Sequence, residues 1–535
     1  MRIAASFSSR WVTSDHRDNS LTFLYLVSFF VVTATATAQD LVPFTKDSVW
    51  TLTNQYSSSP VQITVEDAQQ YGPVQSATVR FNNPWGAYTL LLILNSTGIY
   101  FEGYMDQGVT YRLPEPVPYF RTDMAIDTPW QSPFGRTVLK SKTATVTTPA
   151  GTFTGVYQYT ITGGDGSSYS WFLKPGTGFV QFGDNASAFL ASNYLVKPKA
   201  LTSSLTSSGE CAVLGLASMP SQAGISKAMR DAALKEAMAV GSRLVNVNAS
   251  WAELEPTAGK YNFTRIQDEL SLAQTNSLPV MFTLKVTDSI ASGLPLDLQS
   301  QDLASTVVLS RLDKLLAALK PILPSQVKWL NVGYETDVYL FYRPNEVNSF
   351  RTLFQRAQSK LTGSYSLGVV QSFDTFRTSD LMFKQLVGLG AHVAFNYYGT
   401  GQDFRQRSTS APLADIPLMV RAAAGKAVVI NEVNYSSAGL DGSREKQSEF
   451  LTNVLNAVAQ QPLKVKAVNV WALRDLPLNM VTEIALSQGL SGSSSFATFL
   501  GSLGLQDVNG LQKPAWQVFA TRSSQFKSGS VCTGQ

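Results

Sequence analysis

Two glutamates stand at the ends of apolar runs in the second half of the chain. Glu335 comes shortly after the run 327–332, and Glu432 directly follows the run 427–431. A carboxylate beside a buried strand is costly unless it is solvated or used. Two such groups can divide acid and base chemistry between them. We therefore take Glu335 and Glu432 as candidate catalytic residues, with paired structural carboxylates as the alternative.

The composition excludes several other kinds of site. Among the 535 residues only His16 and His392 are histidines, and His16 lies in the predicted leader. Ser-His-Asp or Cys-His chemistry would need His392 as its base, and a zinc site built from several histidines cannot form. No phosphate-binding glycine loop is present, and we expect neither a metal nor an organic cofactor.

The charge pattern argues against a nucleic-acid partner. The 42 basic and 38 acidic residues give a net charge of +4, and they are spread along the chain without a basic run. A nucleic-acid-binding protein normally concentrates its positive charge on one face or segment. The charge pattern therefore does not indicate a polyanionic partner.

The elements that must position the glutamates are eight apolar runs alternating with amphipathic helices. We predict strands at 212–216, 244–248, 280–284, 327–332, 366–370, 393–398, 427–431 and 467–471, and helices that include 227–240, 306–320 and 445–460. This pattern favours a closed (β/α)8 TIM barrel over residues 211–525, with a doubly wound open sheet as the alternative. In such a barrel the C-terminal strand ends share one mouth, toward which both glutamates would point.

Residues 211–520 resemble clan GH-A of retaining glycosidases. The clan carries an acid/base glutamate after strand four and a nucleophilic glutamate after strand seven, which fall here on Glu335 and Glu432. The stretch 251–263 (WAELEPTAGKYNF) resembles the clan's W-x-x-x-E-P-x-x-G-x-Y-x-F segment, and 513–516 (KPAW) resembles its closing motif. The resemblance implies a retaining O-glycosyl hydrolase acting on an oligo- or polysaccharide, with Glu335 protonated and Glu432 anionic.

We place sugar-binding residues around this pair. They are Tyr334, Asn248, Trp251, Asn396, Tyr398 and Trp471. By the resemblance, Tyr398 orients the nucleophile, Trp471 floors the sugar subsite, and Asn396 stands where some families have histidine. Tyr334 replaces the clan's asparagine, which binds the 2-hydroxyl of the reacting sugar. A catalytically silent barrel that binds carbohydrate is therefore the alternative function.

Residues 41–197 form a different kind of segment, with short alternating runs separated by turn residues. This pattern predicts an antiparallel β domain, to which we assign no role. The stretches 146–153 and 171–180 resemble a motif of bacterial exported β domains. Trp50, Trp85, Trp130 and Trp171 could stack on sugars, although tryptophans more often fill a β core. A Ser/Thr-rich linker follows at 198–210.

The N-terminus has the pattern of a signal peptide over residues 1–38. Three arginines precede the apolar run 21–32, and Ala36-Thr37-Ala38 forms an A-x-A cleavage site. A signal anchor is the alternative. We expect a secreted, periplasmic or cell-surface protein without a stable membrane span after cleavage.

In such a compartment the two cysteines can oxidise. Barrel closure brings the first strand, which Cys211 opens, close to the C-terminal tail at 526–535, which carries Cys532. The sequence therefore predicts a disulfide between them, with two free thiols as the alternative.

Overall fold

The computed structural model describes residues 43–532 except 72–73, 84–85, 96, 184–187, 198–210, 219–224, 362, 364 and 402. The predicted leader and linker lie outside the described residues. The chain divides into two compact units, residues 1–203 and 204–535. In the described part of the chain, no helix has both the length and the apolar character needed to cross a membrane.

The first unit is an antiparallel sheet of twelve strands, as its alternating pattern predicts. The strands are β1 (Val49–Asn54), β2 (Ser57–Tyr71), β3 (Val74–Asn83), β4 (Gly86–Asn95), β5 (Gly98–Asp106), β6 (Val109–Arg121), β7 (Pro129–Ser132), β8 (Gly135–Thr148), β9 (Gly151–Thr162), β10 (Ser168–Lys174), β11 (Gly178–Phe182) and β12 (Phe189–Leu195). Their order is β6-β5-β4-β3-β2-β1-β12-β11-β10-β9-β8-β7. The pairing of β1 with β12 therefore joins the two halves of the sheet.

Tryptophans of this unit fill its core rather than forming a surface for sugars. Trp50, Trp130 and Trp171 are all buried, while Trp85 lies outside the described residues. The Trp50 indole N–H donates to the Thr177 carbonyl at 2.8 Å. At Gly178, whose φ is +128°, an added Cβ would lie 1.9 Å from Trp50 Nε1. Only glycine fits at Gly178, so the glycine of this hairpin is explained by core packing.

The second unit contains all eight predicted parallel strands, the fifth of them divided in two. The strands are β13 (Val213–Leu216), β14 (Val245–Ser250), β15 (Val280–Asp288), β16 (Ala291–Ser292), β17 (Val327–Tyr334), β18 (Ser366–Gly368), β19 (Val370–Ser372), β20 (His392–Tyr397), β21 (Ala427–Val433) and β22 (Val465–Val470). The short β16 is an addition that pairs antiparallel with β15.

Helices follow most of these strands. They are α1 (Lys227–Ala239), α2 (Trp251–Leu254), α3 (Thr264–Thr275), α4 (Thr306–Leu319), α5 (Thr336–Phe341), α6 (Val347–Lys360), α7 (Phe373–Thr378), α8 (Leu381–Leu386), α9 (Pro412–Ala422), α10 (Arg444–Ala459), α11 (Leu478–Ser487), α12 (Ser494–Leu500) and α13 (Pro514–Ser528). The three helices predicted above, α1, α4 and α10, each begin after a serine whose side chain accepts an N–H of the first turn.

The parallel strands form two sheets and not the single closed ladder that the sequence predicts. One sheet has the order β13-β22-β21-β20-β19, and the other has the order β14-β15-β17-β18. Between β13 and β14 the Leu216 N–H donates to the Ser242 side chain, which takes the place of a strand carbonyl. On the other side, Val369 separates β18 from β19, and the chain passes there from one sheet to the other.

Inward-facing side chains of the two sheets share one apolar cluster. It consists of Leu244, Met281, Tyr334, Val370, Ala394, Val429 and Ala467, each from or beside a different strand. Since strand side chains alternate between faces, the outward residues of the same strands pack against the helices. This packing beneath the C-terminal strand ends holds their backbone in place, and with it the polar side chains there.

The C-terminal segment is part of the folded unit. Helix α13 continues to Ser528, so the predicted start of a tail at 526 lies inside its last turn. Phe526 and Cys532 are both buried against the second unit's core. The structure joins Cys532 to Cys211 by a disulfide bond.

We predict that this bond stabilises the second unit. Because it closes a loop of 321 residues, Cys532→Ser should lower the free energy of unfolding by about 2–4 kcal/mol. Chemical denaturation without reductant measures the difference. The double variant Cys211→Ser/Cys532→Ser is the control and should match the single one. Two titratable thiols per chain in denatured, unreduced protein would contradict the bond.

Candidate active site

Glu335 sits at a sharp turn between β17 and α5. Its own backbone is left-handed, with φ of +45°. Two residues earlier, Gly333 has φ of +92°, and an added Cβ there would lie 2.3 Å from Thr336 Oγ1. The turn therefore needs glycine at 333, and it directs the chain out of the strand at the point where the carboxylate is presented.

The next residues anchor this turn to the neighbouring strands. Thr336 Oγ1 lies 2.9 Å from Thr287 Oγ1 of β15. The Asp337 carboxyl accepts the Ser372 N–H of β19 at 2.8 Å. Burial raises the pKa of Asp337 well above its usual value. The turn that carries Glu335 is thus anchored to β15, which pairs with β17, and to β19 of the other sheet.

Glu432 lies inside β21, where the pairing is irregular on both sides. The register with β20 shifts between Phe395 and Asn396, and the register with β22 shifts between Ile430 and Val433. Such bulges turn a side chain away from the regular pleat. The Glu432 side chain is almost completely buried, with 5% of the residue exposed.

Three polar groups surround the Glu432 carboxyl. The Tyr334 hydroxyl donates to Oε2 at 2.8 Å. The Tyr398 hydroxyl lies 3.5 Å from the same oxygen, and Asn248 Nδ2 lies 3.5 Å from Oε1. One oxygen is therefore held by phenols, and the other has only a long amide contact.

Asn396 connects the two carboxylates. Its Nδ2 lies 2.9 Å from Glu335 Oε1 and 2.9 Å from the Tyr398 hydroxyl, which accounts for both amide protons. The Tyr398 hydroxyl lies 3.0 Å from that of Tyr334. A path through two atoms, Asn396 Nδ2 and Tyr398 Oη, thus runs from Glu335 to Glu432.

Burial dominates the electrostatics of Glu432. It raises the pKa of Glu432 to about 7, against the opposing effects of the Lys285 charge and the Tyr334 hydrogen bond. Burial also raises the pKa values of Tyr334 and Tyr398 well above 10, so both remain protonated donors. Burial therefore opposes the anionic form expected for Glu432, because the site excludes the water that would solvate its charge.

Sequence reasoning missed three residues of β15 and the turn after it. Lys285 Nζ lies 4.0 Å from the centroid of the Tyr334 ring and 3.2 Å from both oxygens of Asp288. The Ser289 hydroxyl donates to Glu335 Oε2. The strand was predicted to end at 284 but continues to Asp288. With the correct strand end, the rule that singled out the glutamates, a polar residue at a strand end, would have found Asp288 and Ser289, but not Lys285, which lies inside the strand.

The six predicted sugar-binding residues divide into three groups. Asn248 and Trp471 are partly exposed and lie at strand ends. Tyr334, Asn396 and Tyr398 surround the glutamates, but their polar atoms are engaged in the network described above. Trp251 is fully buried, and its indole N–H donates to Glu255 at 2.7 Å. Its predicted sugar contact is therefore wrong, because the side chain points into the core between strands and helices.

His392 is a structural residue at the start of β20. It is buried, with Nδ1 3.0 Å from the Ser366 hydroxyl and Nε2 2.8 Å from Asn331 Oδ1. Burial lowers the pKa of His392 to about 3, so the ring is neutral. Among the described residues, no group of three or more His, Cys, Asp or Glu side chains is placed to hold a metal ion.

No protein-family model matches the chain, and no curated protein matches it. Similar solved structures are glycoside hydrolases of families 5 and 39. A GH5_18 protein from Bifidobacterium longum has 16% identity and a TM-score of 0.49, covering 59% of this chain and 80% of its own. A GH5_18 protein from Streptomyces cattleya, in complex with GlcNAc, has 18% identity and a TM-score of 0.47, covering 60% and 81%. An exo-beta-1,4-mannosidase from Opitutaceae bacterium strain TAV5 has 15% identity and a TM-score of 0.46, covering 60% of each chain.

The pKa of Glu432 generates a prediction about stability. In Glu432→Gln the carboxyl becomes an amide that cannot ionise. Because the folded-state pKa of about 7 lies above the usual 4.5, the parent loses stability as pH rises from about 4.5 to about 7. The free energy of unfolding of the variant should therefore exceed that of the parent by about 3 kcal/mol at pH 8.5 and by much less at pH 5. Melting temperatures at the two pH values measure this gap.

The matched control is Glu483→Gln on the exposed face of α11, which should leave the melting temperature near that of the parent at both pH values. A gap for Glu432→Gln of equal size at pH 5 and pH 8.5 would contradict the assignment of Glu432 as a buried titrating carboxyl.

Proposed function

We propose that the protein is an exported O-glycosyl hydrolase that cleaves an oligo- or polysaccharide by a retaining two-glutamate mechanism on a (β/α)8 barrel. The observation that carries this proposal is the two-atom path from Glu335 through Asn396 and Tyr398 to Glu432. It places two carboxyls from separate strand ends at one site. Retaining glycosidases need two such groups about 5–5.5 Å apart.

The reaction assigns one role to each carboxyl. An oxygen of Glu432 attacks the anomeric carbon while the bond to the leaving oxygen breaks, and Glu335 gives its proton to that oxygen. Water then attacks the same carbon and passes its proton to Glu335, and Glu432 leaves. Each of the two displacements inverts the anomeric carbon, so the product keeps the configuration of the substrate.

The hydrogen bonds favour Oε1 as the attacking oxygen of Glu432. Oε2 accepts from Tyr334 at 2.8 Å, whereas Oε1 has only the Asn248 amide at 3.5 Å. A lone pair that is not shared with a short donor is the better nucleophile. The phenols therefore orient the carboxylate and stabilise its charge, while Oε1 stays available.

Trp471 and Asn248 are the residues through which the site would contact the sugar. Trp471 follows β22 directly, and its backbone N–H donates to the carbonyl of Val433, the residue after Glu432. Its half-buried ring can stack against the apolar face of a pyranose. Asn248 is partly exposed, and its Nδ2 lies 3.5 Å from Glu432 Oε1, so a sugar bound at this oxygen would lie beside the amide.

One observation favours the alternative of a catalytically silent carbohydrate-binding protein. Tyr334 occupies the position of the asparagine that the resembled clan uses, and its hydroxyl contacts Glu432 instead of open space. Its ring, however, packs with inward-facing apolar side chains such as Met281 and Val370. We place Tyr334 as a positioning residue for the nucleophile and keep the silent barrel as an outcome of the test.

We predict that Glu432→Ala and Glu335→Ala each reduce kcat/KM on an aryl-glycoside panel by at least about 10³-fold. Azide should restore turnover in both variants. With Glu432→Ala it fills the cavity of the nucleophile and gives a glycosyl azide of inverted configuration. With Glu335→Ala it attacks the glycosyl-enzyme and gives the retained azide. Product NMR distinguishes the two.

The control is Glu483→Ala on the exposed face of α11, which should keep parental activity. Near-parental activity in either alanine variant would show that the residue in question is not catalytic. Binding of oligosaccharides to the parent without hydrolysis of any panel member would favour the silent barrel.

A further inference from the structure

Lys285 is an inward-facing cation in a strand that is otherwise apolar or neutral on that face. Side chains alternate along β15, so Lys285 shares a face with Met281 and Thr283. Met281 belongs to the apolar cluster that includes Tyr334, and Thr283 Oγ1 accepts from Asn331 at 3.2 Å. About one-fifth of the Lys285 side chain is exposed. A charge so placed is costly unless its surroundings use it.

Its contacts lead to Glu432 through one aromatic ring. Lys285 Nζ lies 4.0 Å from the centroid of the Tyr334 ring, within the range of a cation–π interaction. The hydroxyl of that ring donates to Glu432 Oε2 at 2.8 Å. A cation against a phenol face draws electron density from the ring and makes the O–H a stronger donor. The lysine therefore acts on the carboxylate both directly and through this hydrogen bond.

We propose that Lys285 is a positioning residue that holds Glu432 in its anionic, nucleophilic form, through its own charge and through the Tyr334 ring. The inference deepens the proposed function, and its kinetic test rests on that function. It assigns a role to a residue outside the set that the sequence indicated.

The other groups around Glu432 make this role necessary. Glu335 and Asp288 are acidic, and both oppose ionisation of Glu432. Tyr334 and Tyr398 are neutral phenols, and Asn248 from β14 is an uncharged amide. Of these groups and Lys285, the lysine alone carries positive charge. The charge of Lys285 lowers the pKa of Glu432 more than any other group does, whereas burial raises it.

Each variant that tests the role carries a single substitution, at Lys285, at Asp288 or at a control position. Lys285→Met removes the charge and keeps an unbranched apolar stem, and Lys285→Arg keeps the charge. Lys328→Met is the matched control, because Lys328 lies at the exposed opposite end of the adjacent strand β17. Asp288→Asn removes the carboxylate that contacts Lys285, and it should lower the pKa of Glu432 where Lys285→Met raises it. This variant tests the role even if Lys285→Met does not fold.

The first readout is the pH dependence of kcat/KM on an activated aryl glycoside. Lys285→Met should move the acidic limb up by about one pH unit, which is about a 10-fold loss at pH 6 and little loss at pH 9. Lys285→Arg and Lys328→Met should keep the parental limb, and Asp288→Asn should move it down. A purely structural lysine would lower activity equally at all pH values, and that result would overturn the proposal.

The second readout needs no turnover. In each background, the melting-temperature gap between the chain and its Glu432→Gln derivative starts to open near pH 4.5, where the unfolded carboxyl ionises, and stops growing at the pH where the folded Glu432 ionises. Removal of Lys285 should move this upper limit up by about one pH unit and enlarge the gap above it. An unchanged upper limit in Lys285→Met overturns the role of Lys285 even if the protein is a glycosidase. A shifted upper limit without any hydrolysis supports the role while rejecting the proposed function.

Discussion

The free-energy cost of ionising Glu432 away from water is the constraint on which the rest of the site depends. The residue is 5% exposed, and burial raises its pKa to about 7. The proposed reaction nevertheless needs Glu432 as an ionised carboxylate. The surroundings meet this need with one short phenol hydrogen bond and one nearby ammonium, from Tyr334 and Lys285. The same burial keeps the phenols protonated, so they remain donors.

The backbone is irregular where these groups have to meet. Glu335 is left-handed and follows Gly333, also at positive φ, while Glu432 lies between two register shifts in β21. A regular strand presents side chains at fixed intervals, and bulges change their direction. The apolar cluster beneath, with residues from or beside seven of the strands, holds these irregular ends in place. Packing and chemistry are therefore joined in Tyr334, whose ring belongs to the cluster and whose hydroxyl belongs to the site.

Much of this arrangement could be predicted from the sequence. The eight parallel strands follow from apolar runs at regular intervals, and Glu335 and Glu432 follow from their place at strand ends. The division of the strands into two sheets could not be predicted, because it occurs at local details that apolar runs do not reveal: the Leu216 N–H donates to the Ser242 side chain between β13 and β14, and Val369 separates β18 from β19. Trp251 matched a motif, yet a motif does not tell which face of a short helix points inward. Lys285 directly follows the apolar run 280–284, but the sequence does not show that its ammonium lies against the Tyr334 ring.

The central claim is that Glu432 is a nucleophile that forms a covalent bond to sugar. Activated 2-deoxy-2-fluoro glycosides of the preferred sugar should trap this intermediate, since the fluorine slows its hydrolysis. The account predicts a mass increase of one fluoroglycosyl group, located in the peptide that carries Glu432 and absent from Glu432→Gln. An adduct on another residue, or hydrolysis without an adduct and with an inverted product, would contradict it.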